Sequence, residues 1–154
     1  MRSVLILHGP NLNMLGSREP GIYGKVTIDD LNARLVEAGG VLGVEVRTFQ
    51  SNHEGVLIDQ LHQAQEWAKG VVFNPAGYTH TSVALRDAIV AIAIPVVEVH
   101  LSNVQAREGF RQNSLTAPVC IGTIAGFGWQ SYLLGLEALK RYLDEHRKEE
   151  AECV

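Results

Sequence analysis

Three polar segments of the sequence carry the side chains that could do chemistry on a small molecule. Each one follows a short apolar run: residues 9–13 after VLILH, residues 74–80 after GVVF, and residues 100–103 after PVVEV. Such runs are typical of buried parallel strands, and open α/β sheets bind their ligands beyond the carboxyl ends of the strands. The amide, imidazole and hydroxyl groups of these segments are therefore expected to meet at one edge of a sheet, around a small polar ligand.

An acid–base pair is predicted at the end of the fourth apolar run, VVEVH. Alternation along a strand places Glu98 and His100 on the same face. A carboxylate beside an imidazole can orient the ring and keep a proton available for donation. The alternative is a structural ion pair at a strand end, and the residues by themselves leave both interpretations open.

The loop after the first strand contains a candidate general base. It covers residues 11–24, which is long for a connection from strand to helix, and loops of that length are often functional lids. Arg18 and Tyr23 both lie in it. A free tyrosine has a pKa of about 10, and a nearby guanidinium would lower that pKa and favour the phenolate. The alternative is an exposed arginine and a tyrosine that packs the loop against the core.

Polar residues after the third and fourth strands could bind an anionic group. Asn74 and His80 flank a turn that is expected to lead into a helix N-terminus, where free backbone N–H groups suit a carboxylate or an oxyanion. Residues 101–102 could offer similar donors. Further along, Arg111 could reach back over the site, whereas Arg107 could instead be a surface residue.

Short β-branched runs alternate with longer helical periods, a pattern that predicts βαβ units and a parallel sheet. Strands are predicted at residues 3–8, 44–49, 70–73, 96–99 and 119–121. Helices are predicted from a cap at Thr27 to Gly39-Gly40, over 56–68, from a cap at Thr79 or Thr81 to 91, and over 128–148. The simplest arrangement is a three-layer, doubly wound, flavodoxin-like α/β fold with strand order 2-1-3-4-5. In that order strands 1, 3 and 4 are neighbours, which brings the three polar segments together.

Composition and charge narrow the possible partners. The 154 residues suit one domain, with residues 147–154 as a charged tail that is expected to fray. The net charge is −4 with scattered basic residues, which argues against nucleic acid or an anionic membrane as partner. The apolar run near the N-terminus is too short for a signal peptide, so a cytoplasmic location is expected. The two cysteines have no metal-site spacing, and the glycine patterns of dinucleotide and phosphate loops are absent.

Taken together, the segments resemble the type II 3-dehydroquinate dehydratases, and the resemblance extends over nearly the whole chain. It is carried by LHGPNLNMLGSREPGIYG, FNPAGYTHTSVALRDAI and VEVHLSNVQAREGFRQNS. The resemblance implies a flavodoxin-like fold, no cofactor and no metal. It also implies dehydration of 3-dehydroquinate to 3-dehydroshikimate in the shikimate or quinate pathway, and assembly as a homododecamer built from trimers.

The resemblance also implies roles for individual residues. Tyr23 would remove a proton beside the ketone to form an enolate, Arg18 would activate that tyrosine, and His100 would protonate the departing hydroxyl. Asn11 would interact with the enolate oxygen, and Glu98 would orient the histidine. The remaining matches are substrate-binding positions, the last of which reaches a neighbouring subunit's site: Asn74, His80, Leu101, Ser102, Arg111 and Asp87.

Two other functions are weighed against this one. The first is a flavodoxin-like binding module, either a phospho-receiver or a flavin carrier. The third strand of a phospho-receiver should end in aspartate, where this chain has Asn74. A flavin carrier should have a Ser/Thr-rich phosphate loop after its first strand, whereas this chain has PNLN. A catalytically inactive relative should have lost Arg18, Tyr23 or His100, and all three are present.

Overall fold

The computed structural model describes residues 1–17 and 25–152, in which one parallel sheet is covered by helices on both faces. Its strands are β1 Arg2–His8, β2 Val44–Gln50, β3 Gly70–Asn74, β4 Val96–His100 and β5 Gly122–Ala125. The helices are α1 Ile28–Leu42, α2 Glu54–Ala64, α3 Val83–Ala91 and α4 Gln130–Glu152. The strand order is β2-β1-β3-β4-β5, so the predicted three-layer, doubly wound fold is confirmed.

The sheet separates two apolar cores because side chains alternate along each strand. Val4 and Ile6 of β1 face the core under α1 and α4, whereas Leu5 and Leu7 face the core under α2 and α3. All four side chains are buried, and each contributes roughly 1.5–3 kcal/mol to folding. The alternation also assigns the last residues of each strand to one face or the other, which places the polar groups at the strand ends.

Helix α1 begins as predicted and ends later than predicted. Thr27 accepts a hydrogen bond from the Asp30 N–H, and the Asp30 carboxylate accepts one from the Thr27 N–H, which forms a capping box. Gly39, however, lies inside the helix, where a Cβ would come within 2.5 Å of Val46. This glycine allows the helix to pack closely on β2, and the helix ends at Gly43, which has a φ of 77°.

The start of α3 also differs from the prediction. Ser82, rather than Thr79 or Thr81, caps this helix, and its side chain accepts a hydrogen bond from the Leu85 N–H at 2.9 Å. A 3₁₀-helix, Ala76–His80, occupies the preceding turn. Several hydroxyl residues in this stretch could cap a helix. Which of them becomes the N-cap depends on how the chain packs, and the local sequence does not reveal that.

The fifth strand lies further along the chain than predicted. Residues Ala117–Val119 form a 3₁₀-helix that contains Pro118, and the strand begins only at Gly122. Helix α2 is likewise shifted, to Glu54–Ala64 from the predicted 56–68. None of the helices in the described part of the chain is long and apolar enough to cross a membrane.

Candidate active site

A pocket at the carboxyl ends of β1, β3 and β4 brings together most of the side chains that the sequence marked for chemistry. The predicted residues that line it are Asn11, Asn74, His80, His100, Leu101, Ser102 and Arg111. Asp87 is exposed on α3 and does not line this pocket of its own chain. Arg18 and Tyr23 fall outside the described residues.

The loops after β1 and β3, which both contribute residues to the pocket lining, touch each other. The Gly9 N–H donates a hydrogen bond to the Asn74 carbonyl at 2.8 Å. A Cβ at position 9 would lie 2.6 Å from the Pro75 carbonyl oxygen, so this approach requires glycine. Two pocket residues that are not glycine also have positive φ angles, Asn11 at 68° and Ala76 at 52°. Such backbone costs energy and is common at functional sites.

Asn11 is held by the loop that follows β2. Its backbone N–H donates to the side-chain oxygen of Asn52 at 2.9 Å. The same oxygen accepts a hydrogen bond from the Gln50 side-chain amide at 3.1 Å. The position of Asn11 at the pocket therefore depends on a neighbouring strand as well as on its own loop.

The predicted pair in β4 is formed. Nε2 of His100 lies 3.0 Å from Oε2 of Glu98, and both side chains are buried at the strand end. Because a carboxylate can only accept, the histidine must donate its Nε2–H. The other ring nitrogen, Nδ1, is then the one that can serve a molecule in the pocket.

Three hydroxyl groups, which we call the hydroxyl cluster, surround the Glu98 carboxylate on its other sides. They belong to Thr79, Ser114 and Thr116. Thr79 lies 3.2 Å and Ser114 3.3 Å from the nearest carboxylate oxygen, and Thr116 is in contact with Oε1. Thr79 and Thr116 are completely buried or nearly so, so these hydroxyls are built into the core.

The hydroxyl cluster and the histidine keep Glu98 ionised. Burial by itself would raise the pKa of Glu98, but hydrogen bonds from His100, Thr116 and Thr79 stabilise the anion and hold the pKa below its usual value. Sequence reasoning missed the three hydroxyl residues. The signal that could have found them is Glu98 itself, since a carboxylate inside an apolar strand must be supplied with donors.

Asn74 and His80 are fixed by backbone groups of their own loops. The Asn74 side-chain oxygen accepts the Ala76 N–H at 3.0 Å. Nδ1 of His80 lies 2.7 Å from the Asn113 carbonyl, so Nδ1–H donates and Nε2 of the neutral ring is an acceptor. The pocket thus offers an oriented amide and an oriented imidazole to a ligand that carries hydroxyl groups.

Two arginines give the pocket a positive charge in a chain whose net charge is negative. Arg111 and Arg107 both line it, at 2.8 Å and 3.8 Å from the Glu108 carboxylate. Of the two possibilities that the sequence left open for Arg107, the structure supports a place in the pocket, since its side chain is only 14% exposed. The two guanidinium groups could bind an anionic substituent such as a carboxylate.

The N-terminus of helix α3 does not contribute to the pocket as the sequence suggested. Helix α3 starts at Val83, its cap Ser82 is buried, and neither residue lines the pocket. The Ala76 N–H in the preceding turn is taken up by Asn74. Among the described residues, no group of three or more His, Cys, Asp or Glu side chains is placed to hold a metal ion.

Comparison with known proteins places these features in a family. The sequence profile of the class II dehydroquinases matches residues 2–140. A 3-dehydroquinate dehydratase of Trichodesmium erythraeum is 58% identical over 141 residues, which is 92% of this chain and 94% of that protein. The crystal structure of a type II dehydroquinase from Propionibacterium acnes superposes with a TM-score of 0.89 at 45% identity, covering 92% of this chain and 97% of the other. A second type II dehydroquinase structure, from Butyrivibrio crossotus, gives a TM-score of 0.88 at 43% identity over 90% and 97% of the two chains.

Proposed function

The chain belongs to the class II dehydroquinases, and on that basis we propose that it is a 3-dehydroquinate dehydratase. The enzyme would remove one water molecule from 3-dehydroquinate and release 3-dehydroshikimate. The observation that carries the proposal is the buried His100–Glu98 pair at the edge of a polar pocket, with two arginines beside it. This pair supplies the acid that an elimination needs, and the arginines suit a substrate with a carboxylate.

The first step is removal of a proton from the carbon next to the ketone. We assign it to Tyr23, whose phenolate would take the proton while the electron pair moves onto the ketone oxygen to form an enolate. Arg18 would favour the phenolate. Both assignments depend on the resemblance of the loop sequence to the family. Lys25, Lys69 and Lys140, the lysines whose side chains the structure describes, do not line the pocket, so an imine with the ketone has no partner among them.

The enolate must be stabilised while it exists. We assign this to Asn11, which the contact with Asn52 holds at the pocket. A positioned donor on a developing oxyanion is typically worth about 3–4 kcal/mol. Asn74 and His80 would bind the substrate hydroxyl groups, and Arg111 its carboxylate.

The second step is loss of the hydroxyl group. The enolate electrons return to form the carbon–carbon double bond, the carbon–oxygen bond breaks, and protonated His100 gives its proton to the leaving oxygen, which departs as water. The ionised Glu98 holds the ring in place and balances the positive charge of the imidazolium before the transfer. Tyr23 then carries the proton taken from carbon and His100 lacks one, so a proton passing from the first to the second through solvent restores the enzyme.

The direct test follows the absorbance of the enone product after purified protein is mixed with 3-dehydroquinate. We expect absorbance to rise, and to rise equally with EDTA present. It should also rise when the protein has first been incubated with 3-dehydroquinate and borohydride, then freed of both and given fresh substrate. Loss of activity only in the borohydride sample would indicate an imine mechanism. A folded protein that gives no rise at all would favour the inactive-relative alternative.

The base assignment has its own test in Tyr23→Phe. This variant should fold, bind substrate and lose most of its turnover, by about 10²–10⁴-fold, because it lacks a positioned proton acceptor. Tyr142→Phe is a suitable control, since Tyr142 lies on α4 and does not line this pocket. Near-normal turnover in Tyr23→Phe would remove Tyr23 from the mechanism.

We also propose that the chain assembles as a homododecamer built from trimers, in which Asp87 reaches the site of a neighbouring subunit. Supporting this, Asp87 is exposed on α3 with the exposed apolar residues Val83 and Val90 on the same helix. Light scattering coupled to gel filtration would test the assembly, and a mass near that of a monomer would contradict it. A cytoplasmic location and a role in the shikimate or quinate pathway remain predictions.

A further inference from the structure

Two fully buried titratable side chains lie directly behind the pocket and have no part in the mechanism above. His8 is the last residue of β1, and Tyr132 lies at the start of α4. Both side chains are 0% exposed. Nδ1 of His8 lies 2.8 Å from the Tyr132 hydroxyl, and Nε2 lies 2.7 Å from the side-chain oxygen of Asn32 on α1.

The hydrogen atoms of this group can be placed by elimination. Burial lowers the pKa of His8 to about 4, although the hydrogen bond with Asn32 acts to raise it. The ring is therefore neutral at neutral pH. A neutral imidazole donates through one nitrogen and accepts through the other. Because Nε2 faces the oxygen of Asn32, Nε2–H donates and Nδ1 accepts, and the Tyr132 hydroxyl must donate to His8.

The Tyr132 oxygen can then only accept a further hydrogen bond, and its neighbour on the pocket side is Asn74. His8 and Asn74 are paired residues on the adjacent strands β1 and β3, and the Asn74 side chain lies near enough to the Tyr132 hydroxyl to oppose, by hydrogen bonding, the rise in the Tyr132 pKa that burial causes. The Asn74 oxygen already accepts the Ala76 N–H. The amide nitrogen of Asn74 must therefore face Tyr132, which leaves its second N–H for a ligand.

We propose that His8 and Tyr132 are positioning residues that act through Asn74, an inference that depends on the proposed function. Together with Asn32 and Asn74 they form what we call the amide chain. It fixes the Asn74 amide so that an N–H is presented to a substrate oxygen. His8, Asn32 and Tyr132 lie on β1, α1 and α4, so regular elements orient the Asn74 amide in addition to the Ala76 N–H of the pocket loop.

The key variant is Tyr132→Phe, which removes only the hydroxyl. We expect KM for 3-dehydroquinate to rise about tenfold with kcat within about threefold, because Asn74 loses its orientation and binding weakens. Tyr142→Phe, on the same helix and away from the pocket, is the matched control and should keep both constants within about twofold. In an Asn74→Ala background, Tyr132→Phe should add less than about twofold to KM, since its effect passes through Asn74.

A second pair of variants protects the test against a folding defect. His8→Asn retains a side-chain oxygen that can accept from Tyr132, and KM should stay within about threefold of the wild-type value. His8→Leu cannot accept, and its KM should rise as in Tyr132→Phe. Thermal unfolding and assembly are measured for each variant.

Each negative result has a separate meaning. An active wild type whose KM is unchanged in Tyr132→Phe or in folded His8→Leu would overturn the positioning role. The positioning role would also be overturned if Tyr132→Phe raised KM by the same factor in the wild-type and the Asn74→Ala backgrounds. A folded wild type that does not convert 3-dehydroquinate would overturn the proposed function and this inference with it.

Discussion

The two buried polar networks behind the pocket lie on opposite faces of the sheet and differ in charge. Glu98 points with Val96 into the core under α2 and α3, whereas His8 points with Ile6 into the core under α1 and α4. The hydroxyl cluster surrounds an ionised carboxylate that touches the proposed acid. The amide chain contains a neutral imidazole and a neutral phenol that end at the amide of Asn74, a proposed substrate ligand.

The difference indicates a division of labour between the two faces. A group that loses and regains a proton in each turnover needs a permanent counter-charge, and a buried carboxylate can persist only where donors surround it. A group that only holds a substrate needs a fixed direction, which neutral hydrogen bonds supply with a smaller desolvation cost. We therefore expect changes on the Glu98 face to alter kcat and changes on the His8 face to alter KM and stability.

The largest effect on kcat is expected from His100→Ala, which removes the proposed acid next to Glu98. Without a positioned acid the hydroxyl must leave unassisted, so kcat should fall by about 10²–10⁴-fold. His62→Ala, on the exposed side of α2, is the control and should retain wild-type turnover. Steady-state rates, followed by enone absorbance, give kcat for both variants. If kcat of folded His100→Ala fell by less than tenfold, a residue other than His100 would be the acid.

Glu98→Gln should have the next largest effect, since it removes the charge and leaves the shape. The imidazolium loses its counter-charge and the ring loses a strong acceptor, so kcat should fall by about 10²-fold. Glu45→Gln, at an exposed carboxylate on β2, provides the comparison. Should Glu98→Gln raise KM and leave kcat unaltered, the assignment of proton chemistry to this face would be wrong.

The neutral face should appear in the pH dependence of stability. The pKa of His8 is lowered from 6.5 to about 4 by burial, so between these values the unfolded chain binds a proton that the folded chain does not. The free energy of unfolding is therefore highest above pH 6.5. It falls by about 3 kcal/mol in all as the pH falls towards 4, because the unfolded chain gains the proton first.

Urea unfolding at a fixed protomer concentration would measure this loss at several pH values, with His8→Asn as the control. Glu98 also contributes in acid, because its lowered pKa stabilises the folded state above the unfolded value of 4.5, but it does so equally in both proteins. The wild type should lose about 3 kcal/mol more than His8→Asn between pH 7 and pH 4. Parallel curves for the two proteins would show that His8 is not kept neutral by the fold.

The smallest effect is expected from Thr116→Val, which removes one hydroxyl from around Glu98 and keeps the side-chain volume. One hydrogen bond to a charged group contributes about 1.5–3 kcal/mol, and Thr79 and Ser114 would replace part of it. We expect kcat to fall by less than about tenfold with KM unchanged. Thr48→Val on β2 is the matched substitution, and equal losses in both would assign no role to the hydroxyl cluster.

What could be predicted from the sequence depended on local periodicity. The pairing of Glu98 with His100 follows from alternation along a strand. The strand order follows from the doubly wound fold that alternating strands and helices favour, and the structure agrees with both predictions. Boundaries that depend on packing were wrong. Gly39 was taken as a helix terminator because nothing local reveals that Val46 packs against it.

The residues that hold the site residues in place could not be predicted, because their contacts join distant parts of the chain. Tyr132 meets His8 across 124 residues, and Thr116 meets Glu98 only after the chain has passed through two 3₁₀-helices. A threonine in a polar loop and a tyrosine in an amphipathic helix carry no pattern that distinguishes them from surface or core residues. Only the folded chain reveals which polar groups were brought to the same place.

The central claim is most directly tested by measuring kcat and KM for 3-dehydroquinate in the wild type, Glu98→Gln and Tyr132→Phe side by side. The account predicts an active wild type, a loss of kcat with nearly constant KM in Glu98→Gln, and a raised KM with nearly constant kcat in Tyr132→Phe. An inactive wild type, or two folded variants that lose the same constant to the same extent, would contradict it.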